Sequence, residues 1–299
     1  MLKNNLGEDK ILPLVLKLAI PAMLAQFVNV LYTIVDRFFV SQIPEIGDLA
    51  LASVGVVSPI TTFIVSFAFL MGLGGAPLMA IKMGEKNQKV AEKILFNCVF
   101  SLIMVAIILM IISYSFKKYF IMWFGASEKT FPLANEYLTY YLIGTIFAVG
   151  CLGLNSFITA QGFSAQAMIF VVVSALTNVL LDYVFIMVVN MGVKGAAVAT
   201  VIAQAVGFVL MFGFLVSKKA KVRLKVQKLD FVVMKKVMAL GFGPFFINST
   251  DSLLIILMNT VLQNAGGAAL GDIYISSITI VVSFMQLITN PLNGITLGT

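Results

Sequence analysis

Apolar stretches long enough to cross a membrane alternate with short polar breaks along the chain. A helix needs roughly 20 apolar residues to span the hydrocarbon core of a bilayer. Eight segments meet that length: about 13–40, 49–79, 94–115, 133–159, 165–189, 195–216, 231–262 and a last one from about 273 onward. Polar residues inside these spans recur at helical spacing. Gln26, Asn29, Thr33 and Asp36 fall three or four apart in the first span, a stripe beside Tyr32 that faces protein or water and not lipid. Asn178 and Asp182 share one face of the fifth span, and Thr200 and Gln204 one face of the sixth. The third span is almost uniformly apolar, so the pattern predicts a lipid-facing helix with little chemistry.

The breaks punctuate this pattern. Pro21 is expected to bend the first helix. The second carries Pro59 and ends in Gly72-Leu-Gly74-Gly75-Ala-Pro77, which suits either close helix contact or a loosened turn. Residues 116–132 read as a longer loop, with Tyr119, Trp123 and Phe124 as an interfacial aromatic anchor. The turn from Ala160 to Ser164 is short and uncharged, which makes the fourth and fifth helices antiparallel neighbours. Asn190-Met-Gly192 forms the opposite turn.

Composition places the chain in a class. Of its residues 60% are hydrophobic and 11% charged, with a mean hydropathy of +1.04. Soluble domains carry about 25% charged residues, so this is an all-α polytopic membrane protein. The net charge of +7 is concentrated between helices. Ser217 to Lys236 holds eight Lys or Arg against one acid, Asp230. Without a nucleic-acid-binding fold around it, this run predicts no nucleic-acid partner; it predicts a cytoplasmic loop. Counting back through six helices puts the N-terminus inside. The 82–93 loop, with four Lys and two Glu, then also lies inside, and the acidic 41–48 loop outside. The first apolar run is too long for a signal peptide and is expected to remain as a helix. No phosphate-binding Gly-Lys-Ser/Thr motif supports ATP-driven transport. With two Cys and no His, neither a disulfide framework nor a Cys/His metal site is expected.

The chemistry lies in acids at membrane depth. An ionised carboxylate is expensive in hydrocarbon, so Asp36, Asp182 and Asp251 are functional candidates. The competing reading has each polar group pinning one helix to another. Two carboxylates in one low-dielectric site compete for a single negative charge, which suits uptake of a proton or a cation. Arg37 either snorkels to the outer interface or pairs with an acid. Glu136 reads as an interfacial charge, and Asn155 lies deeper with Ser156 and Thr159. No nucleophile with a base and no metal set points to an enzyme.

The second stretch, from 231, opens like the first: Gly241, Gly243 and Pro244 come early and Asp251 follows, with Asn248 and Asn259 nearby. Gln286, Asn290, Pro291 and Asn293 lie in the eighth span, and the chain is expected to stop inside an element at Gly294-Ile-Thr-Leu-Gly298-Thr299. Two such halves in the same orientation are a known transporter design. Ile20-Pro21, Tyr32-Thr-Ile-Val-Asp36-Arg37-Phe-Phe-Val, Asn178-Val-Leu-Leu-Asp182-Tyr-Val-Phe, Gly192-Val-Lys-Gly195-Ala-Ala-Val-Ala-Thr200 and Asn290-Pro291-Leu-Asn-Gly294-Ile-Thr-Leu-Gly298 together resemble the first eight of twelve helices of a multidrug and toxic compound extrusion (MATE) transporter of bacterial type. The resemblance covers essentially the whole chain.

The resemblance implies a six-helix N-terminal lobe at 1–216, a basic cytoplasmic linker at 217–230, and a second, parallel-repeat lobe begun at 231–299. It implies a monomeric protein of the bacterial cytoplasmic membrane, in contact with membrane lipids, that exports lipophilic, cationic or aromatic drugs by antiport with H⁺ or Na⁺ and uses no other cofactor. The proton or cation site would be Asp36, Asn155, Asn178, Asp182 and Thr200, with Na⁺ candidate ligands at Asp36, Asn178, Asp182 and Thr200. Gln26, Asn29, Tyr32, Thr33, Gln204, Asp251 and Gln286 are candidates along the transport path. The alternative is a flippase for a lipid-linked saccharide, which belongs to the same superfamily and favours basic residues in its cavity.

Overall fold

A computed structural model describes residues 11–298, with backbone only at 11–14, 268 and 293–298. The polar start at 1–10 and the side chains of the Asn293–Thr299 ending lie outside the described residues. The described chain is entirely helical apart from its connections, since in hydrocarbon a helix satisfies its own backbone hydrogen bonds. The order is α1 (Ile11–Ser41), α2 (Gly47–Gly84), α3 (Gln88–Trp123), α4 (Thr130–Ile143), α5 (Thr145–Ala160), α6 (Ser164–Asp182) and α7 (Val193–Val216). A last long helix, Phe231–Gly298, follows. It breaks at Gly267, where φ of 54° and ψ of −155° suit glycine alone, into two spans, α8 (Phe231–Gly267) and α9 (Ala269–Leu292). Seven helices are long and apolar enough to cross a membrane, and an eighth span results if α4 and α5 are counted as one.

Several expectations need correction. α3 runs 36 residues to Trp123, so most of the loop expected at 116–132 is helix and the connection is 124–129. Trp123 remains highly exposed, as an interfacial anchor requires. The first turns of α3 are not lipid-facing: Glu92, Asn97 and Ser101 are buried, and Glu92 and Asn97 bond to the 217–230 segment. The fourth span is not one helix but α4 and α5, bent by 57° at Gly144. α1 is unbroken at Pro21, the position expected to bend it. α2 also stays helical past Pro77 to Gly84, so its small residues serve close contact and not a loosened turn. A Cβ on Gly241 of α8 would land on the backbone of Leu70, so these two helices meet backbone to backbone.

The connections sort onto two ends. At one end Gln88 Nε2 donates to Lys221 O at 2.6 Å and Val222 N donates to Gln161 Oε1 at 2.8 Å. This end gathers the α2–α3 loop, the α5–α6 turn and the basic segment. At the other, Ser127 Oγ donates to Asp272 Oδ2 at 2.9 Å and Thr260 Oγ1 to Trp123 O at 3.4 Å. α2 lies antiparallel along α8, through Ser66 with Ser249 (3.1 Å), Ser252 Oγ to Pro59 O (2.7 Å) and Asn259 Nδ2 to Gly55 O (3.1 Å).

Candidate functional site

Four helices converge on the acids of α1 and α6. The helical period brings Tyr32 and Asp36 to one side of α1, Asn178 and Asp182 to one side of α6, and Thr200 and Gln204 to one side of α7. Asp36, Asn178, Asp182 and Thr200 are all buried, Asp182 completely. The Asp36 and Asp182 carboxyls lie close enough to interact electrostatically. Two carboxylates this close repel when both are charged, so a proton or a cation between them is favoured. Asp36 Oδ1, both oxygens of Asp182, Asn178 Oδ1 and Gln204 Oε1 are buried with no hydrogen-bond donor. Asn178 keeps its amide end occupied by donating Nδ2 to Thr200 Oγ1 at 3.4 Å. Buried polar atoms are rarely left unmatched. A cluster of orphans that are all acceptors is built to receive positive charge.

α4 completes the site, which sequence reasoning missed. Tyr137 and Tyr141 are buried and stack with centroids 6.0 Å apart. Both line the same polar cavity as Asp36, and Tyr137 lies within electrostatic range of Asp36 and Asp182. Their spacing of four in the middle of an apolar span was a legible signal. The helix beyond Asp182 was not legible: a π-helical turn at Tyr183–Val188 begins at the very next residue, a feature frequent at functional sites. Phe39 of α1 packs on Tyr183 of that turn, centroids 6.4 Å apart.

Two cavities flank the tyrosines. A polar one of about 130 Å³ holds Thr33, Asp36, Thr61 and Thr200. A larger one, about 610 Å³, is lined mainly by apolar residues together with Gln26, Asn29 and Asn155. Tyr32, Tyr141 and Gln204 line both and form the partition between them. No Lys, Arg, Asp or Glu lines the larger cavity among the described residues.

The other candidates divide. Asn155 lies in the larger cavity and away from the carboxylate pair, its Nδ2 unpaired. Thr33 lines the polar cavity, its hydroxyl donating to Asn29 O at 3.0 Å. Asp251 is on an exposed face of α8, and Gln286 is half-buried; neither lines a described cavity. Arg37 neither snorkels nor pairs with an acid in a salt bridge. It reaches across to α9, donating to Thr279 O at 2.6 Å and to Ser283 Oγ, and to Ser58 Oγ of α2 at 3.3 Å. Glu136 is exposed, as an interfacial charge should be. Among the described residues no group of three or more His, Cys, Asp or Glu comes together to hold a metal.

The MatE family profile matches residues 21–184, more than half of the chain and a range that includes both acids of the pair. The chain belongs to the MatE family. Multidrug export protein MepA of Staphylococcus haemolyticus (strain JCSC1435) is 22% identical to it over 271 residues, which are 90% of this chain and 60% of MepA. The MATE multidrug transporter DinF-BH, solved in complex with a ligand, superposes with a TM-score of 0.90 at 30% identity, covering 100% of this chain and 66% of that one. A multidrug resistance MATE family transporter of the MOP superfamily, solved in an outward-facing conformation, shares the fold with a TM-score of 0.83 at 22% identity, over 95% of this chain and 62% of its own. The chain thus spans about three fifths of the curated MATE relative and somewhat under two thirds of these solved transporters. Its apolar helices and these relatives make it a multi-pass membrane protein of a transporter family.

Proposed function

We propose that the chain supplies the N-terminal lobe and the first two helices of the C-terminal lobe of an exporter that exchanges lipophilic, cationic or aromatic molecules for H⁺. The observation that carries this reading is the donor-less acceptor cluster at Asp36, Asn178 and Asp182, set one tyrosine layer away from an uncharged cavity of about 610 Å³. A proton shared by the two carboxyls satisfies their contact and lowers the charge of the site. A cationic ligand in the larger cavity is favoured when that charge is present and disfavoured when it is neutralised, which couples the two fluxes reciprocally. Sodium would use the same oxygens, with Asn178 and Thr200 as neutral ligands. The basic end lies on the cytoplasmic face of a bacterial membrane in this reading, in accord with the positive-inside rule. A flippase for a lipid-linked saccharide would have to hold a phosphate group, and the absence of Lys and Arg from the larger cavity's lining weighs against it.

The test uses the full-length protein in sealed vesicles. A lipophilic cation should drive counterflow of protons independent of Na⁺, and Asp36→Asn and Asp182→Asn should each abolish it at normal insertion. Flux that follows an imposed Na⁺ gradient at zero pH difference would replace the proton by sodium. Normal drug export in both variants would reduce the acids to helix packing.

A further inference from the structure

The 217–230 segment is not a free linker. It runs without regular structure across the basic end of the molecule, held on α3 and the α5–α6 turn. Lys225 Nζ pairs with the buried Glu92 carboxylate at 2.7 Å and Lys93 Nζ with Asp230 at 2.5 Å. Asp230 N donates to Asn97 Oδ1 at 2.8 Å, and Leu224 N to Leu215 O at 2.9 Å. The acids described at this end are therefore already matched, including Glu85 by Lys82 at 2.7 Å. Lys218, Lys221, Arg223, Lys228, Lys235 and Lys236 make no ion pair among the described residues. Large apolar side chains are interleaved with these cations and turned outward: Val226 is 89% exposed, Phe231 78% and Val232 65%. A segment tied down by these bonds that presents cations beside the bare Val226, Phe231 and Val232 fits a bilayer interface. There, apolar groups enter the acyl boundary while ammonium groups stay among the headgroups.

We propose that this pinned strap, from Lys218 to Lys236, is a docking surface for anionic phospholipid headgroups. Charge complementarity selects the occupant: unmatched cations of one sign attract anionic lipid within a Debye length of the surface. The exposed Val226 and Phe231 give a lipid something to cover that a soluble phosphate does not. The surface lies apart from both cavities, and it does not depend on the transport reading.

A tryptophan reporter tests it in the full chain. Trp123, the one natural tryptophan, is replaced in Trp123→Phe, and Val226→Trp is added. In nanodiscs, brominated phosphatidylglycerol should quench the reporter several-fold more than brominated phosphatidylcholine at equal mole fraction. Lys218→Gln with Lys228→Gln should remove that preference. Each lysine removed should weaken anionic-lipid association about five-fold, while unfolding temperature in detergent stays unchanged because neither side chain anchors the strap. Equal quenching by the two lipids, before and after the substitutions, would show a non-selective interface and overturn the proposal. An absence of quenching by either would put the strap in water and overturn it as well.

Discussion

At the scale of single residues, the site is defined by what its atoms lack. Thr200 gives Asn178 its one recorded hydrogen bond, so Thr200→Val should orphan a buried amide. That costs about 1–3 kcal/mol and should appear as a lower unfolding temperature of the full-length protein together with a shifted ion dependence of transport. An unchanged profile would remove Thr200 from the site. Asp230 shows the opposite state, a carboxylate with every acceptor used. The Lys93 ammonium and the backbone N–H groups of Val233 and Val232 hold it below the ordinary carboxylate value. A lowered folded value means the anchoring is fully present above the ordinary value of about 4. It is lost as pH falls below that point and through the lowered folded value. The protection factor for hydrogen exchange at residues 230–233, corrected for the intrinsic pH dependence of exchange, should therefore fall only in acid, and protection that ignores pH there would contradict the anchor. Of these two clusters, only the first was legible in sequence. Asp36, Asn178 and Asp182 stand out because polar groups are costly in apolar runs. Lys93, Asn97 and Glu92 look like any loop-proximal charges until their partner, more than a hundred residues away, is known.

At the scale of elements, close approach and interruption do most of the positioning. Gly241 lets α8 meet the α2 backbone at Leu70. Gly241→Leu should separate the helices or fail to pack, at about 1–3 kcal/mol. It would be read as reduced thermal stability with normal insertion, and a fully stable variant would show that the contact is dispensable. The Gly72–Pro77 segment announced this contact in sequence but left a loosened turn equally open. The bend at Gly144 and the π-helical turn after Asp182 gave no such notice. Gly144 is one small residue within a continuous apolar run, and a Cβ there would press on the Val201 side chain of α7. The bend answers to a neighbouring helix, which local propensity does not contain.

Across the described molecule, the connections sort onto two ends, and most of the cations lie at one. With that end inside the cell, Lys221→Cys in a background lacking Cys98 and Cys151 should resist an impermeant thiol reagent in intact cells and react after permeabilisation. Labelling from outside would reverse the topology. The sequence alone determined the helical class, the number of spans to within the α4–α5 bend, their alternation between ends, and which helix faces carry polar groups. Run length and periodicity are local quantities, and hydrocarbon enforces them strictly. Only the tertiary structure decided that Tyr137 and Tyr141 close the acid site, that Asn155 belongs to the larger cavity, that Arg37 reaches α9, and that the basic segment is a fixed strap. Each of those depends on side chains brought together from distant positions, where packing and hydrogen-bond satisfaction choose among partners that the sequence leaves equivalent.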